Sequence, residues 1–149
     1  MGNVTRRELI DQYKIIHREK LNYGRSSEDM ISVVLLLFKS LKGKLFLDYG
    51  CGKSNLANQV SEVHGTTVCK YDPSIPEHST RPKGQFDLVT CTDVMEHIPE
   101  EDITSVLMDI KNCSQNVYFV ISTRLAKAVL PDGRNAHLTV KPGLGGSIK

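Results

Sequence analysis

The sequence predicts an α/β fold with a doubly wound, mostly parallel sheet and helices on both faces. Short apolar segments alternate along the chain with segments of helical period. The segment "LFLD" is apolar on both faces, as expected for a strand that is covered on both sides. The acids of "IPEED" favour the start of a helix, which the strong strand "NVYFVIS" follows. With 149 residues, we expect one domain: N-terminal helices at 1–43, a core at 44–142 and a flexible tail at 143–149.

Two helices are predicted before the first strand. The sequence Thr-Arg-Arg-Glu at 5–8 fits a capping box, which predicts a helix over about 6–20. Asn-Tyr-Gly at 22–24 ends it. A serine at 26 or 27 caps a second helix that runs to about residue 41.

The sheet is predicted from the apolar segments that follow. Strands are expected at 45–48, 67–71, 86–90 and 116–122, with a further strand at 136–140, and helices are expected at 54–63 and from Pro99 to about 112. The interval between Asp72 and Phe86 is short, contains three prolines and has no period. A third strand is therefore expected to be lost, so that the sheet is reduced at its edges.

Composition and charge limit the class of protein. No apolar run approaches the roughly 18 residues of a membrane span, and no secretory signal is recognisable, so we expect a cytoplasmic protein without a membrane partner. The four cysteines form no C-x-x-C pair, which disfavours a zinc knuckle or a redox dithiol. The charge balance is +4 over 1–44, −6 over 45–115 and +4 over 116–149. That pattern fits a cation-binding centre with a basic rim, or a chance distribution on solvated faces.

The turn Asp48-Tyr49-Gly50-Cys51-Gly52 follows the first predicted strand. In an open parallel sheet, ligands bind at the carboxyl ends of the strands, and glycines let the backbone approach them. The third glycine of a dinucleotide fingerprint is missing, and the acid before the glycines opposes a phosphate. Asp72 lies 20 residues beyond Gly52, the spacing at which a carboxylate accepts both ribose hydroxyls. Together these features predict a nucleoside that carries positive charge, such as S-adenosylmethionine.

Three segments resemble motifs of the class I S-adenosylmethionine-dependent methyltransferases. "LFLDYGCGKSNLA", "YDPS" and "FDLVTCTDVMEHIPEEDI" are similar to the first-, second- and fourth-strand motifs, in the right order over about 44–123. The resemblance implies a Rossmann-like sheet with a strand order like 3-2-1-4-5. "DVMEHIP" is similar to ubiquinone-type O-methyltransferases, and "DGRNAHL" to small bacterial and phage-like members. The implied acceptor is a small molecule with a hydroxyl or an amine.

The resemblance also implies site residues. Those implied for the cofactor are Tyr23 and Gly24 as a lid, Asp48, Tyr49, Gly50, Cys51 and Gly52 at the methionine part, Asp72 at the ribose, Pro73 at the adenine side, and Asp93 and Val94 on the pocket floor. Glu96 and His97 are implied as catalytic residues. His97 is the first candidate for a general base because histidine titrates near neutrality. His17 and His137 are further candidates.

Two alternatives remain open from the sequence. Asp93, Glu96, His97 and His137 are similar to the metal site of RNA 2′-O-methyltransferases, and the basic chain ends would suit RNA. The absence of tryptophan argues against an aromatic platform for nucleic acid. Alternatively, the chain binds the cofactor without catalysis, as a partner protein. In either case a second copy could cover the shortened edge of the sheet, forming a homodimer.

Overall fold

The computed structural model describes residues 4–141. Their core is a four-stranded parallel sheet of order β2-β1-β3-β4. The strands are β1 (Leu45–Tyr49), β2 (Thr67–Tyr71), β3 (Leu88–Thr92) and β4 (Val117–Val120). The α-helices are α1 (Arg6–Glu19), α2 (Ile31–Ser40), α3 (Leu56–Ser61) and α4 (Glu100–Lys111), and short 3₁₀ turns cover Ser26–Met30, Pro76–His78 and Met95–His97. The predicted parallel α/β fold is confirmed, and it is Rossmann-like.

Helices cover both faces of the sheet because the side chains of β1 and β3 alternate between two apolar clusters. Leu47 and Val89 pack on one face with Ile110 of α4. Phe46 and Leu88 pack on the other face, in a cluster that α2 and α3 complete. Consecutive strand residues therefore point to opposite buried layers, which is why both faces of "LFLD" are apolar.

A third apolar cluster lies apart from the sheet. It joins Leu9 and Ile16 of α1 to Ala128, Leu130 and Ala136. We call α1 together with residues 124–138 the roof. Thr5 caps α1 with the predicted capping box, in which the Thr5 and Glu8 side chains each accept from the backbone N–H of the other residue.

The edges of the sheet are reduced, as predicted. The interval between Asp72 and Phe86 contains the 3₁₀ turn Pro76–His78 and no strand. Within residues 4–141, β4 pairs with β3 alone. A homodimer that covers this edge stays a prediction.

Several predicted boundaries were wrong. The strand expected at 136–140 does not form, and an isolated antiparallel bridge joins Val129 to Asn135 instead. The backbone groups of this segment bond to side chains and to the segment 126–128 rather than to a strand ladder. The helix expected over 26–41 starts as a 3₁₀ turn, and β3 starts two residues later than expected because the Phe86 N–H donates to the Cys113 carbonyl in a loop.

Two further expectations concern the tail and membranes. The tail expected at 143–149 lies outside the described residues. Among residues 4–141, no helix is both long enough and apolar enough to cross a bilayer.

Candidate functional site

A cavity of about 620 Å³ lies between the carboxyl ends of the strands and the roof. Its volume is in the range of sites for small molecules and cofactors. The residues predicted for the site that line it are Tyr23, Gly24, Tyr49, Gly50, Gly52, Asp72, Pro73, Asp93, Val94 and His97, together with His17 and His137. Asp48, Cys51 and Glu96 do not contribute to the wall that the described residues form.

The glycine turn is held against the end of β2. The N–H groups of Gly50 and Cys51 both donate to the Tyr71 carbonyl, at 2.7 and 3.1 Å. Gly50 and Gly52 have φ angles of 76° and 49°, which side chains rarely tolerate. A Cβ on Gly50 would also collide with the Val94 side chain. Glycine is therefore required here by the fold as well as by any ligand.

The segment that was predicted as a lid packs directly on this turn. The Gly24 carbonyl accepts a hydrogen bond of 2.9 Å from the Lys53 N–H. A Cβ on Gly52 would lie 2.7 Å from the same carbonyl. The Lys53 ammonium donates to the carbonyls of His17 and Lys20. The end of α1 and the glycine turn thus form one unit.

Asp72 lies at the end of β2 and is 8% exposed. Its Oδ2 accepts from the Gly52 N–H at 2.9 Å, and its Oδ1 accepts from the N–H and the hydroxyl of Ser74 at 2.8 and 2.5 Å. A carboxylate offers about four acceptor positions, so one position is left for a ligand. The role of Asp72 toward a ribose therefore stays a prediction, with one acceptor position still open to a hydroxyl.

Asp48 lies beneath the turn rather than on the cavity wall. Its side chain is 1% exposed, and its Oδ1 accepts a 3.0 Å hydrogen bond from the Thr90 hydroxyl. Burial raises the pKa of Asp48 to about 6, against the lowering effects of Thr90 and Lys70. The Cys51 thiol is also buried, and burial raises its pKa. Both side chains support the turn from below.

His97 lines the cavity from the 3₁₀ turn that follows β3. Its Nδ1 lies 2.7 Å from the Ala136 carbonyl oxygen. Its ring packs edge-on against Tyr13, Tyr23 and His137, with centroids 5.3, 6.3 and 4.8 Å away. Burial lowers the pKa of His97 to about 4. The imidazole is therefore neutral at physiological pH.

Glu96 does not occupy the catalytic position that the resemblance implied. Its side chain is fully buried, and its Oε1 accepts a 2.8 Å hydrogen bond from the Ser122 N–H. It joins the ends of β3 and β4, which is a structural role. Within the described part of the chain, no three His, Cys, Asp or Glu side chains converge to hold a metal ion. The alternative metal set of Asp93, Glu96, His97 and His137 is thus not assembled among the described residues.

Asp93, at the end of β3, lines the cavity with a φ of 52°. Aspartate is one of the few residues other than glycine that visit this left-handed region. Its N–H donates to the Val120 carbonyl at 2.8 Å. The turn that aims the following residues at the cavity therefore depends on a strained backbone.

Two buried polar atoms on the cavity wall have no hydrogen-bond partner among the described residues: His17 Nδ1 and Tyr23 Oη. Such atoms are costly unless a ligand or water satisfies them. The two rings pack edge-on with centroids 4.9 Å apart. They extend the polar surface near Asp72, whose charge acts on the pKa values of both groups.

Sequence reasoning missed several residues that shape this site. Tyr13 donates to the carbonyls of His97 and Ala136, at 3.2 and 2.7 Å. Asn135 bonds to Ala126 and to the His137 N–H. Asn135 lies within the motif "DGRNAHL", for which the sequence predicted no role of that residue. Tyr13 carried no local signal, because its partners lie 84 and 123 residues away in the sequence.

Comparison with known proteins adds independent evidence. A family model described as "Methyltransferase domain" matches residues 21–144. The ubiquinone biosynthesis O-methyltransferase of Escherichia coli O157:H7 is 27% identical over 147 residues, which covers 83% of this chain and 58% of that protein. The protein of the same name from Shigella boydii serotype 18 is 27% identical over 114 residues, covering 60% and 48%. The chain spans about half the length of the curated relatives it matches.

No solved structure matches the chain. The family model covers most of the chain, including the glycine turn, Asp72 and His97. Together with the parallel sheet, this match confirms the resemblance noted in the sequence: the chain belongs to the methyltransferase domain family, within the class I S-adenosylmethionine-dependent methyltransferases.

Proposed function

We propose that this protein transfers a methyl group from S-adenosylmethionine to a hydroxyl group of a small molecule. One observation carries the proposal: the glycine turn, Asp72 and a neutral His97 line the same cavity. The first two suit a nucleoside without a phosphate, and the third presents an unprotonated ring nitrogen to an acceptor hydroxyl. The names of the relatives, which are O-methyltransferases, agree with oxygen as the acceptor atom.

The residues on the cavity wall fit the cofactor. The backbone of the glycine turn would lie along its methionine part, and Asp72 would accept one ribose hydroxyl in its remaining position. The unpartnered Tyr23 hydroxyl and His17 Nδ1 supply further polar partners on the same side. When bound, the sulfonium supplies an already activated methyl group. The protein then has to orient the acceptor and exclude water.

His97 is the residue best placed to accept the acceptor's proton. Because its Nδ1 must donate to the Ala136 carbonyl, its Nε2 carries the lone pair. Nε2 has no hydrogen-bond partner among residues 4–141. A hydroxyl acceptor gains from such a base, whereas a neutral amine already carries its attacking lone pair. The arrangement therefore favours a hydroxyl over an amine.

Calorimetry with S-adenosylmethionine and S-adenosylhomocysteine tests the cofactor site. We expect Asp72→Asn to weaken both by about tenfold or more, since a charge-assisted hydrogen bond contributes roughly 1.5–3 kcal/mol. Asp102→Asn is the matched control, because Asp102 also lines the cavity but from the first turn of α4. Equal affinities in wild type and Asp72→Asn would reject the role of Asp72.

Turnover tests the reaction itself. Transfer of labelled methyl groups to a panel of catechols and other small hydroxyl compounds is expected with wild type and is expected to fall by about a hundredfold or more in His97→Gln. Cofactor binding without product from any acceptor would instead support a protein that binds the cofactor without catalysis.

A further inference from the structure

The motif "DGRNAHL", residues 132–138, lies in the roof, and the proposed reaction does not yet account for it. Its first part fastens the roof to α1: Gln12 Nε2 donates to Asp132 Oδ2 at 2.8 Å, and the Asp132 N–H donates to Gln12 Oε1 at 3.1 Å. Arg134 pairs with Asp132 at 2.7 Å. These contacts are exposed, and none of them involves His97. The second part of the motif behaves differently.

One peptide group links the second part of the motif to His97. This group joins Ala136 to His137, and Ala136 is fully buried. Its carbonyl oxygen accepts from His97 Nδ1 and from the Tyr13 hydroxyl, both at 2.7 Å. Its N–H, on His137, donates to Asn135 Oδ1 at 3.0 Å. Because a peptide group is planar, an interaction that fixes the N–H direction also fixes the direction of the carbonyl.

The Asn135 side chain is itself held in place by further bonds. Its Oδ1 also accepts from the Ala126 N–H at 3.0 Å, and its Nδ2 donates to the Ala126 carbonyl at 2.9 Å. These two bonds distinguish the oxygen of the amide from its nitrogen and prevent rotation of the group. Ala126 lies on the cavity wall. Asn135 therefore couples Ala126 on the cavity wall to the orientation of the Ala136 carbonyl.

We infer that Asn135 is a positioning residue that sets the tautomer and ring orientation of His97 through the Ala136–His137 peptide group. A carbonyl oxygen only accepts, so the neutral imidazole must carry its proton on Nδ1. Nε2 is then bare, as a general base requires. The role of His97 as base rests on the proposed function, whereas the tautomer assignment does not.

Nitrogen-15 NMR of histidine side chains at pH 7 tests the inference on the free protein, with His97→Gln used to assign the His97 signals. We expect wild-type His97 to show a protonated Nδ1 and a bare Nε2. Asn135→Ala is expected to shift His97 toward the other tautomer. Asn135→Asp keeps an acceptor for the His137 N–H but loses the amide that donates to the Ala126 carbonyl, so we expect it to shift the tautomer less than Asn135→Ala does. Gln12→Ala, which removes the other fastening of the motif, is expected to retain the wild-type tautomer.

Three results would overturn the inference: a protonated Nε2 in wild type, an unchanged tautomer in folded Asn135→Ala, or a larger shift in Asn135→Asp than in Asn135→Ala. If Asn135→Ala does not fold, the tautomer of wild type still decides. In the folded Asn135→Ala variant we also expect kcat to fall about tenfold or more, with the affinity for S-adenosylhomocysteine unchanged. If the tautomers behave as expected but no methyl transfer occurs, the proposed function fails and the positioning role stands.

Discussion

Asp48 and His97 respond to the same burial with opposite shifts, because burial disfavours the charged form of each. The pKa of Asp48 rises to about 6, and the pKa of His97 falls to about 4. Below pH 6 the buried Asp48 becomes neutral, which relieves a destabilising charge. Over the same pH range His97 stays neutral in the folded protein, whereas it would bind a proton in the unfolded chain. This difference lowers the stability of the folded state as pH falls. The two effects on stability therefore oppose each other at mildly acidic pH, so wild type alone does not reveal either.

The substitution Asp48→Asn is expected to separate the effect of Asp48 on stability from that of His97. The folded state holds a proton on Asp48 up to about pH 6, against an ordinary value of 3.8, so this carboxyl lowers the stability of wild type progressively as pH rises from about 4 to 6. An asparagine has no charge to bury and can still accept from Thr90. We expect the variant to be more stable than wild type at pH 7, by up to about 3 kcal/mol, and to lose this advantage near pH 4. Urea unfolding at several pH values measures the difference.

Asp87→Asn supplies a control of opposite sign. Asp87 Oδ2 accepts from the N–H groups of Lys44 and Leu45, and these bonds lower the pKa of Asp87. Its contribution to stability is present above the ordinary pKa and is lost as pH falls. Asp87→Asn should therefore be less stable than wild type at pH 7. A gain at pH 7 in Asp87→Asn, or a loss in Asp48→Asn, would contradict this account.

Among the elements, α1 and the glycine turn are joined most directly by Lys53. Its ammonium reaches two carbonyls at the end of α1, those of His17 and Lys20. A cation at this end of a helix also complements the helix dipole. The backbone N–H of the same residue donates to Gly24. We therefore expect that ordering of the glycine turn also orders the end of α1.

Lys53→Met is expected to weaken this connection while keeping most of the apolar stem. We expect faster hydrogen exchange at the amides of residues 17–24, equivalent to about 1 kcal/mol of local stability. Lys39→Met is the matched control, because Lys39 lies in the last turn of α2 and its side chain makes no hydrogen bond or ion pair among the described residues. Equal exchange in the two variants would show that Lys53 does not couple α1 to the turn.

The sequence predicted helices and strands correctly where residues close together in the chain determine them. The capping box and apolar period placed α1 correctly, and prolines correctly indicated the missing strand. The strand expected at 136–140 was wrong because its backbone groups bond to Tyr13 and Asn135 side chains instead of a neighbouring strand. The glycine turn and His97 were likewise recognisable from local motifs. The partners that orient His97 were not, because Tyr13 and Ala136 lie 84 and 39 residues away from it in the sequence.

At the scale of the whole molecule, the apolar core is divided. Two clusters pack on the faces of the sheet, and each includes residues of β1 and β3. The buried residues of the roof cluster include none from the sheet. The roof meets the turn after β3 through polar contacts, such as the hydrogen bonds that the His97 carbonyl and Nδ1 make with Tyr13 and Ala136. Regions with such contacts commonly open without global unfolding.

Leu130→Ala and Leu88→Ala test this division, because both leucines are 2% exposed but belong to the roof and to the sheet core respectively. Removing either side chain leaves a cavity, which typically costs about 2–5 kcal/mol. We expect Leu88→Ala to lower the hydrogen-exchange protection of β1 and β3 together with that of α1. Leu130→Ala should lower the protection of α1 and leave β1 and β3 close to wild type. If S-adenosylhomocysteine binds in the cavity between roof and sheet, as proposed, it should restore most of the lost protection in Leu130→Ala. If Leu130→Ala instead exposes β1 as much as α1, the roof is part of one cooperative unit, and an acceptor has to enter the cavity without opening it.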